Sequence, residues 1–371
     1  MVCAKKRLEA VYLGLCECGA GAVRKDSWAD GFYRFRIAGE ERLLKIAPGP
    51  RNKQGGFDFP IQNQLKMNRS FAITVENETV TAVRERETGE PVEFCPVVRG
   101  RAGVWTLGNL LKTAMEPVGT TLYIYGGGWN WQDTGASVQA RALGVSPEWV
   151  RFFREQDESY RYRPKDGEGS RQNPAVSYYP SGGYNAYSYA GLDCSGYIGW
   201  VLYNTLETEN GRPGYVWAAD GYAKRLAERG YGVFTRQTHP DDPVKPGDIL
   251  SVRGHVWLSL GTCGDGSLVL THATPAGSRF GQPGGGVELS AVGLSKDCEA
   301  FRLADAWMAE YYPQWYERYP VMLADPAIYL AFPEAGHGRF TWHTDREILS
   351  DPEGVGAMTA EQVLTYLYSG D

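Results

Sequence analysis

The chain has no run of apolar residues long enough to cross a bilayer as a helix, so a membrane-spanning protein of that kind is excluded. Met1 to Ala10 carries Lys5, Lys6 and Arg7 but no apolar stretch of the sort a secretory leader needs, so no signal peptide is expected in the sequence as it stands. Charge of one sign is lacking too: 38 Lys and Arg against 44 Asp and Glu leave a net −6. That balance argues against a general affinity for nucleic acid or an anionic membrane. Seven cysteines are an odd number without scaffold spacing, which argues for reduced thiols over a disulfide framework. Cys16-Glu17-Cys18 has no His or second Cys pair following at ligand spacing, so no metal clip is expected there. The triplets Gly126-Gly127-Gly128 and Gly284-Gly285-Gly286 lack the Lys-Ser/Thr of a phosphate loop. No repeat extends through the chain.

What is present is an ordinary globular composition, 43% hydrophobic and 22% charged over 371 residues, enough for two domains or one decorated core. Aromatics reach 13%, with 23 Tyr and 11 Trp, which favours a large, partly polar binding surface. Residues 1–104 read as β-rich. Tyr33–Ile37 and Arg42–Ile46 alternate around a turn at Gly39-Glu40, and Ala72–Val75 and Thr79–Val83 flank Glu76–Glu78. A small barrel is expected from these hairpins. Trp105–Met115 looks helical and begins the second region, 105–371.

Cys194 lies in Gly191-Leu192-Asp193-Cys194-Ser195-Gly196-Tyr197, directly ahead of apolar residues at Ile198, Val201, Leu202 and Leu206. That spacing predicts a helix with one buried face. Asp193 is its expected N-cap, which puts Cys194 in the first turn, where the helix dipole is expected to lower the thiol pKa. Gly191 and Gly196 are expected to leave room for a substrate backbone. A buried, inert Cys at a helix start is the other reading.

Two histidines follow on strand-like stretches. Ile249–Val252 enters after the Pro246-Gly247-Asp248 turn. His255–Leu260 then alternates, with His255, Trp257 and Ser259 on one face and Val256, Leu258 and Leu260 on the other. Ser267–Ala273 places Leu268, Leu270 and His272 together. An antiparallel pair joined through Thr262–Gly266 brings both histidines to one end of a sheet. His255 can then act as general base to Cys194, and His272 can orient His255. Taken singly, each histidine reads more readily as a hydrogen-bonded structural residue; three such placements in one order favour the catalytic reading. His239, His337 and His343 sit in Pro-, Gly- or polar-rich contexts and read as surface residues.

On these motifs, residues 105–290 resemble the NlpC-type family of bacterial cell-wall cysteine peptidases. Tyr123-Ile124-Tyr125-Gly126-Gly127 is similar to the family's aromatic-Gly-Gly segment, Asp193–Tyr197 to its nucleophile motif, and Gly247-Asp248 with Gly254-His255-Val256 to its base motif. His272 falls where the family carries a polar third residue. The resemblance implies an α+β, papain-like cysteine peptidase core, a nucleophile helix packed on an antiparallel sheet, with the N-terminal barrel SH3-like. It implies hydrolysis of an amide in peptidoglycan stem peptides or muropeptide fragments, commonly the bond between γ-D-glutamate and a diamino acid. Catalytic roles fall to Cys194, His255 and His272, with no cofactor or metal required. The resemblance further implies that Tyr123 places its hydroxyl near the sulfur, and that Asp193 and Ser195 receive the free amine of an N-terminal L-Ala.

The chain departs from the family in an insertion at about 129–190 and an extension from about 301. The insertion contains a helical pattern with Ser146 as N-cap and Pro147 first, running through Trp149 to Gln156, and ends in an aromatic loop, Tyr178–Tyr189. That loop either walls the cleft or caps exposed core. Phe301–Tyr312 reads as helix limited by Pro313, and Thr359–Leu367 as a final capped helix. Other readings remain open: muramoyl-alanine amidase action or other acyl transfer on the same triad, or a non-catalytic wall- or peptide-binding module. The cysteines and N-terminus point to the cytoplasm if the sequence is complete. A removed leader would point to the cell envelope or secretion.

Overall fold

In the computed structural model, residues 5–15, 32–49, 61, 64–66, 68–86, 92–129, 137–155, 187–236, 243–275, 279, 284–345 and 348–369 are described. Alternation in the N-terminal region produces strands β1 (Lys6–Leu15), β2 (Tyr33–Ile37), β3 (Glu40–Ile46), β4 (Ser70–Glu76) and β5 (Thr79–Glu85), which close as a barrel in the order β1-β2-β3-β5-β4. Both expected hairpins form, β2–β3 and β4–β5. Closure buries Tyr12, Tyr33, Phe35, Phe71 and Ile73 in a core of its own.

The rest is mixed α+β. Its sheet runs β7-β6-β12-β11-β10-β9-β14-β8, with β13 alongside β12. The strands are β6 (Leu122–Tyr123), β7 (Gly191–Leu192), β8 (Gly232–Thr235), β9 (Ile249–Val252), β10 (His255–Thr262), β11 (Leu268–Pro275), β12 (Gly285–Val292), β13 (Leu323–Ala324) and β14 (Gly338–Trp342). The helices, again among the described residues, are α1 (Leu107–Met115), α2 (Pro147–Glu155), α3 (Cys194–Leu206), α4 (Tyr222–Glu228), α5 (Glu299–Tyr311), α6 (Pro313–Arg318), α7 (Pro326–Tyr329) and α8 (Ala360–Tyr368). None is long and apolar enough to cross a membrane.

β9, β10, β11 and β12 form an antiparallel meander. Their two faces serve two cores, because side chains alternate along each strand. Val256, Leu258 and Leu260 join Val269, Leu289 and α3 in the larger one, and α3 is buried on every side from Cys194 to Thr205, not on the one face its spacing predicts. Leu250, Trp257, Leu268 and Leu270 form a smaller cluster on the other face with Tyr329. Tyr197 pins α3 to this sheet: its hydroxyl donates to the Ala114 carbonyl and lies 3.0 Å from Thr271 Oγ1.

The helices expected over 105–115, over 147–156, from Cys194, over 301–312 and over 359–367 are observed at 107–115, 147–155, 194–206, 299–311 and 360–368. Thr359 and Gln362 cap α8 reciprocally. The region beyond residue 300 is more than an extension, since it supplies β13, β14 and the rings of Trp315 and Tyr329 to the central sheet and its cores. The insertion helix α2 meets the barrel through Glu148, which accepts from Arg69 at 3.2 Å. Most of the aromatic loop lies outside the described residues, as do Cys16 and Cys18. Its last part is packed inward, with Tyr187 against Phe152 and the Tyr189 carbonyl accepting from Trp149.

Candidate active site

Asp193 caps α3 by accepting from the Gly196 amide at 2.7 Å, so Cys194 opens the helix. The turn Gly126-Gly127-Gly128 packs against this end. Gly126 N–H donates to Asp193, and Asp193 N–H donates to the Gly127 carbonyl. A Cβ on Gly196 would lie 2.1 Å from the Gly127 carbonyl oxygen, and one on Gly191 would lie 2.2 Å from that of Leu122. These glycines therefore admit the protein's own backbone, which corrects the expectation that they leave room for a substrate.

Cys194 is 6% exposed. Its sulfur lies 4.0 Å from the Gly254 carbonyl and is approached by the backbone N–H groups of Val256, Ser195 and Cys194 itself. Gly254 and Val256 flank His255, so the start of β10 is set against the thiol. Burial, helped by the Asp193 carboxylate, pushes the Cys194 thiol up to about 12. The expected lowering by the helix dipole is outweighed, although the amides act in the expected direction.

His255 Nε2 lies 2.8 Å from His272 Nδ1. Antiparallel pairing of β10 with β11 brings the two rings to the same face, and the ring of Tyr329 lies 5.5 Å from His255 and 6.1 Å from His272. Burial pushes His255 down to about 4 and His272 well below its usual value, where the neighbouring His255 adds to the effect. Both rings are held neutral. With Nε2 committed to His272, Nδ1 is the His255 nitrogen available to a thiol proton.

Tyr123 is buried on β6 within electrostatic range of Cys194 and Asp193, and its hydroxyl is held neutral by burial first and those groups second. Asp193 and Ser195 are both buried. Ser195 Oγ donates to Asp193 at 2.9 Å and accepts from Trp129 Nε1 at 2.8 Å. Burial raises Asp193 to about 6 against the pull of its hydrogen bonds. Their polar groups are thus engaged inside the fold, with the Trp129 indole over Ser195.

Trp129 and Tyr329 were not singled out from sequence, nor were Ser290, Glu288 and Trp315. Strand β12 carried a signal: Val287, Leu289 and Ala291 alternate with Glu288 and Ser290. His337, expected at the surface, is fully buried; its Nε2 lies 3.7 Å from Asp220 and 3.9 Å from Glu334. His343 is half-buried, and His239 lies outside the described residues. Among the described residues no group of His, Cys, Asp and Glu is arranged to hold a metal ion.

Comparison of the chain with protein-family models, with curated proteins and with solved structures finds no match.

Proposed function

We propose that the protein is a papain-like cysteine peptidase of the NlpC type that hydrolyses an amide bond in peptidoglycan stem peptides, between γ-D-glutamate and a diamino acid. The observation that carries this reading is the thiol of a helix-opening Cys set against the strand end that bears His255, itself paired to His272 at 2.8 Å. The barrel is read as an SH3-like module that binds wall fragments or shapes one side of the cleft, and it meets the insertion where Arg69 donates to Glu148.

Cys194 Sγ attacks the scissile carbonyl carbon as its proton passes to His255 Nδ1. Because the thiol is raised and the imidazole lowered, the resting pair is neutral, and proton transfer accompanies attack. The oxyanion is met by the Cys194 N–H at the start of α3, assisted by the Tyr123 hydroxyl. The C–N bond breaks as His255 returns the proton to the leaving amine. Water then attacks the thioester, giving a proton to His255, which passes it to the departing thiolate. A free L-Ala amine is read at Asp193 and Ser195, where it displaces the Trp129 indole.

The test is mass-spectrometric product analysis with L-Ala-γ-D-Glu-diamino-acid peptides, with and without a muramoyl group, beside Cys194→Ala. Cleavage after D-Glu that disappears in the Ala variant supports the reading, and restriction to the free-amine peptide supports the amine site. A fully active Ala variant would end it. The 6% exposure of Cys194 favours one other reading, a binding module with an occluded triad. That reading gains if neither peptide is cut and iodoacetamide leaves Cys194 unmodified.

A further inference from the structure

The histidine pair does not end at His272. His272 Nε2 lies 3.0 Å from Ser290 Oγ, Ser290 donates to Glu288 Oε1 at 3.4 Å, and Trp315 Nε1 donates to Glu288 Oε2 at 3.1 Å. All of these side chains are at least nine-tenths buried. The β11–β12 register sets Glu288 directly across from His272 and Ser290 across from Leu270, so the line crosses two strands on one face.

We propose that Glu288 and Ser290 are positioning residues that set the tautomer of His255 through His272. The inference rests on the peptidase reading for its kinetic consequence but not for its structural content. A hydroxyl has one proton. When Ser290 gives it to Glu288, Ser290 can only accept from His272 Nε2–H. His272 Nδ1 is then bare and accepts from His255 Nε2–H. His255 Nδ1 is left bare, as a general base requires. A proton on Glu288 Oε1 reverses every link: Glu288 donates to Ser290, Ser290 to His272 Nε2, and His272 Nδ1–H to His255 Nε2. His255 then carries its proton on Nδ1, and that nitrogen cannot accept the thiol's.

The surroundings of Glu288 allow both states. The titratable groups that face it are His272 from β11 and Tyr329 from α7, both held neutral by burial. Helix α6 contributes the Trp315 indole, and α5 packs on the opposite face through Ala300, Ala304 and Met308. Burial raises the Glu288 carboxyl to about 8, against the Trp315 and Ser290 hydrogen bonds. The line therefore reverses around pH 8.

Trp315 supplies a discriminating substitution, because an indole N–H only donates. In Glu288→Gln the single amide oxygen turns to Trp315 and the NH2 group to Ser290, which locks the reversed order at every pH. Removing the indole in Glu288→Gln/Trp315→Phe frees the amide to turn its oxygen to Ser290.

The experiment is ¹⁵N NMR of histidine-labelled full-length protein from pH 6 to 10, with His255→Ala and His272→Ala for assignment and thermal melts to check folding. Wild type should change from Nδ1–H to Nε2–H at both histidines around pH 8. Glu288→Gln should hold Nδ1–H throughout, and the double variant should recover Nε2–H signal. Identical tautomers in wild type and Glu288→Gln above the pH at which Glu288 ionises, about 8, overturn the proposal, whatever the activity. Where the Cys194-dependent cleavage is observed, kcat of Glu288→Gln measured above about pH 8, where wild-type Glu288 is ionised, should fall on the order of 10²-fold with KM little changed, and partly return in the double variant. A purely structural role for Glu288 predicts instead that the Trp315 substitution deepens the loss. Absence of cleavage counts against the peptidase reading alone, since the tautomers are read without substrate.

Discussion

Asp193 has two opposed effects on its neighbour. As N-cap it orders the first turn of α3, a contribution of about 1 kcal/mol, and so fixes the sulfur against Gly254 and Val256. As a carboxylate it also opposes ionisation of the Cys194 thiol, which burial has already raised. A reaction at this thiol needs a base in place, so the two histidines differ in what their loss removes. On the proposed peptidase reading, His255→Ala deletes the proton acceptor and should lower kcat on the order of 10²- to 10⁴-fold. His272→Ala deletes only the group that orients it and should cost less, with part of the loss reflecting a buried ring removed. Steady-state kinetics on both variants, with melting curves as the folding control, check the order. Equal losses, or a larger loss from His272→Ala, would remove the orienting assignment.

At the scale of elements, the junction of α3 with the glycine turn depends on backbone-to-backbone approach. Ala exceeds Gly in helix propensity by about 1 kcal/mol, so Gly196→Ala is expected to stabilise α3 taken alone. The new methyl would sit 2.1 Å from the Gly127 carbonyl oxygen, a contact that only a shift of the turn can relieve. Overpacking of that kind costs about 1–3 kcal/mol and displaces Cys194 with it. Gly196→Ala should therefore lower the urea midpoint followed by far-UV circular dichroism and reduce Cys194-dependent turnover. An unchanged or higher midpoint would show that the turn yields freely. This junction also marks how far the sequence could be read. Spacing and caps located α3, α5 and α8, a turn signal located β9, and alternation located β10 and β11 with their faces, because those signals are local. The purpose of Gly196 was misread because its partner, Gly127, lies beyond a long insertion. Tyr329 and Trp315 were missed for the same reason: no local period records which distant strand a C-terminal ring will cover. Glu288 and Ser290 lay on a readable polar face, yet only the β11–β12 register turns that face towards His272.

The whole molecule carries its buried titratable groups in two opposing sets, and their balance sets a pH dependence of stability. His255 and His272 have native pKa values below the usual 6.5. Below pH 6.5 the native state therefore binds fewer protons at these sites than the unfolded chain, and their contribution makes stability rise with pH until about 6.5. Asp193 and Asp248 are raised to about 6, Glu116 to about 7 and Glu288 to about 8, in each case chiefly by burial. There the native state holds protons that the unfolded chain has lost, so stability falls as pH climbs through those values. Below 6.5 the two sets offset each other. Above it the histidines are neutral in both states, and the carboxyls act alone. The thermal midpoint should therefore fall between about pH 6.5 and 8, and Glu288→Gln should flatten the upper half of that interval, since an amide has no proton to lose there. Differential scanning calorimetry of both proteins across that range checks the slope. A midpoint that holds or rises would mean that these carboxyls are already ionised in the native protein, with solvent or neighbouring dipoles compensating their burial.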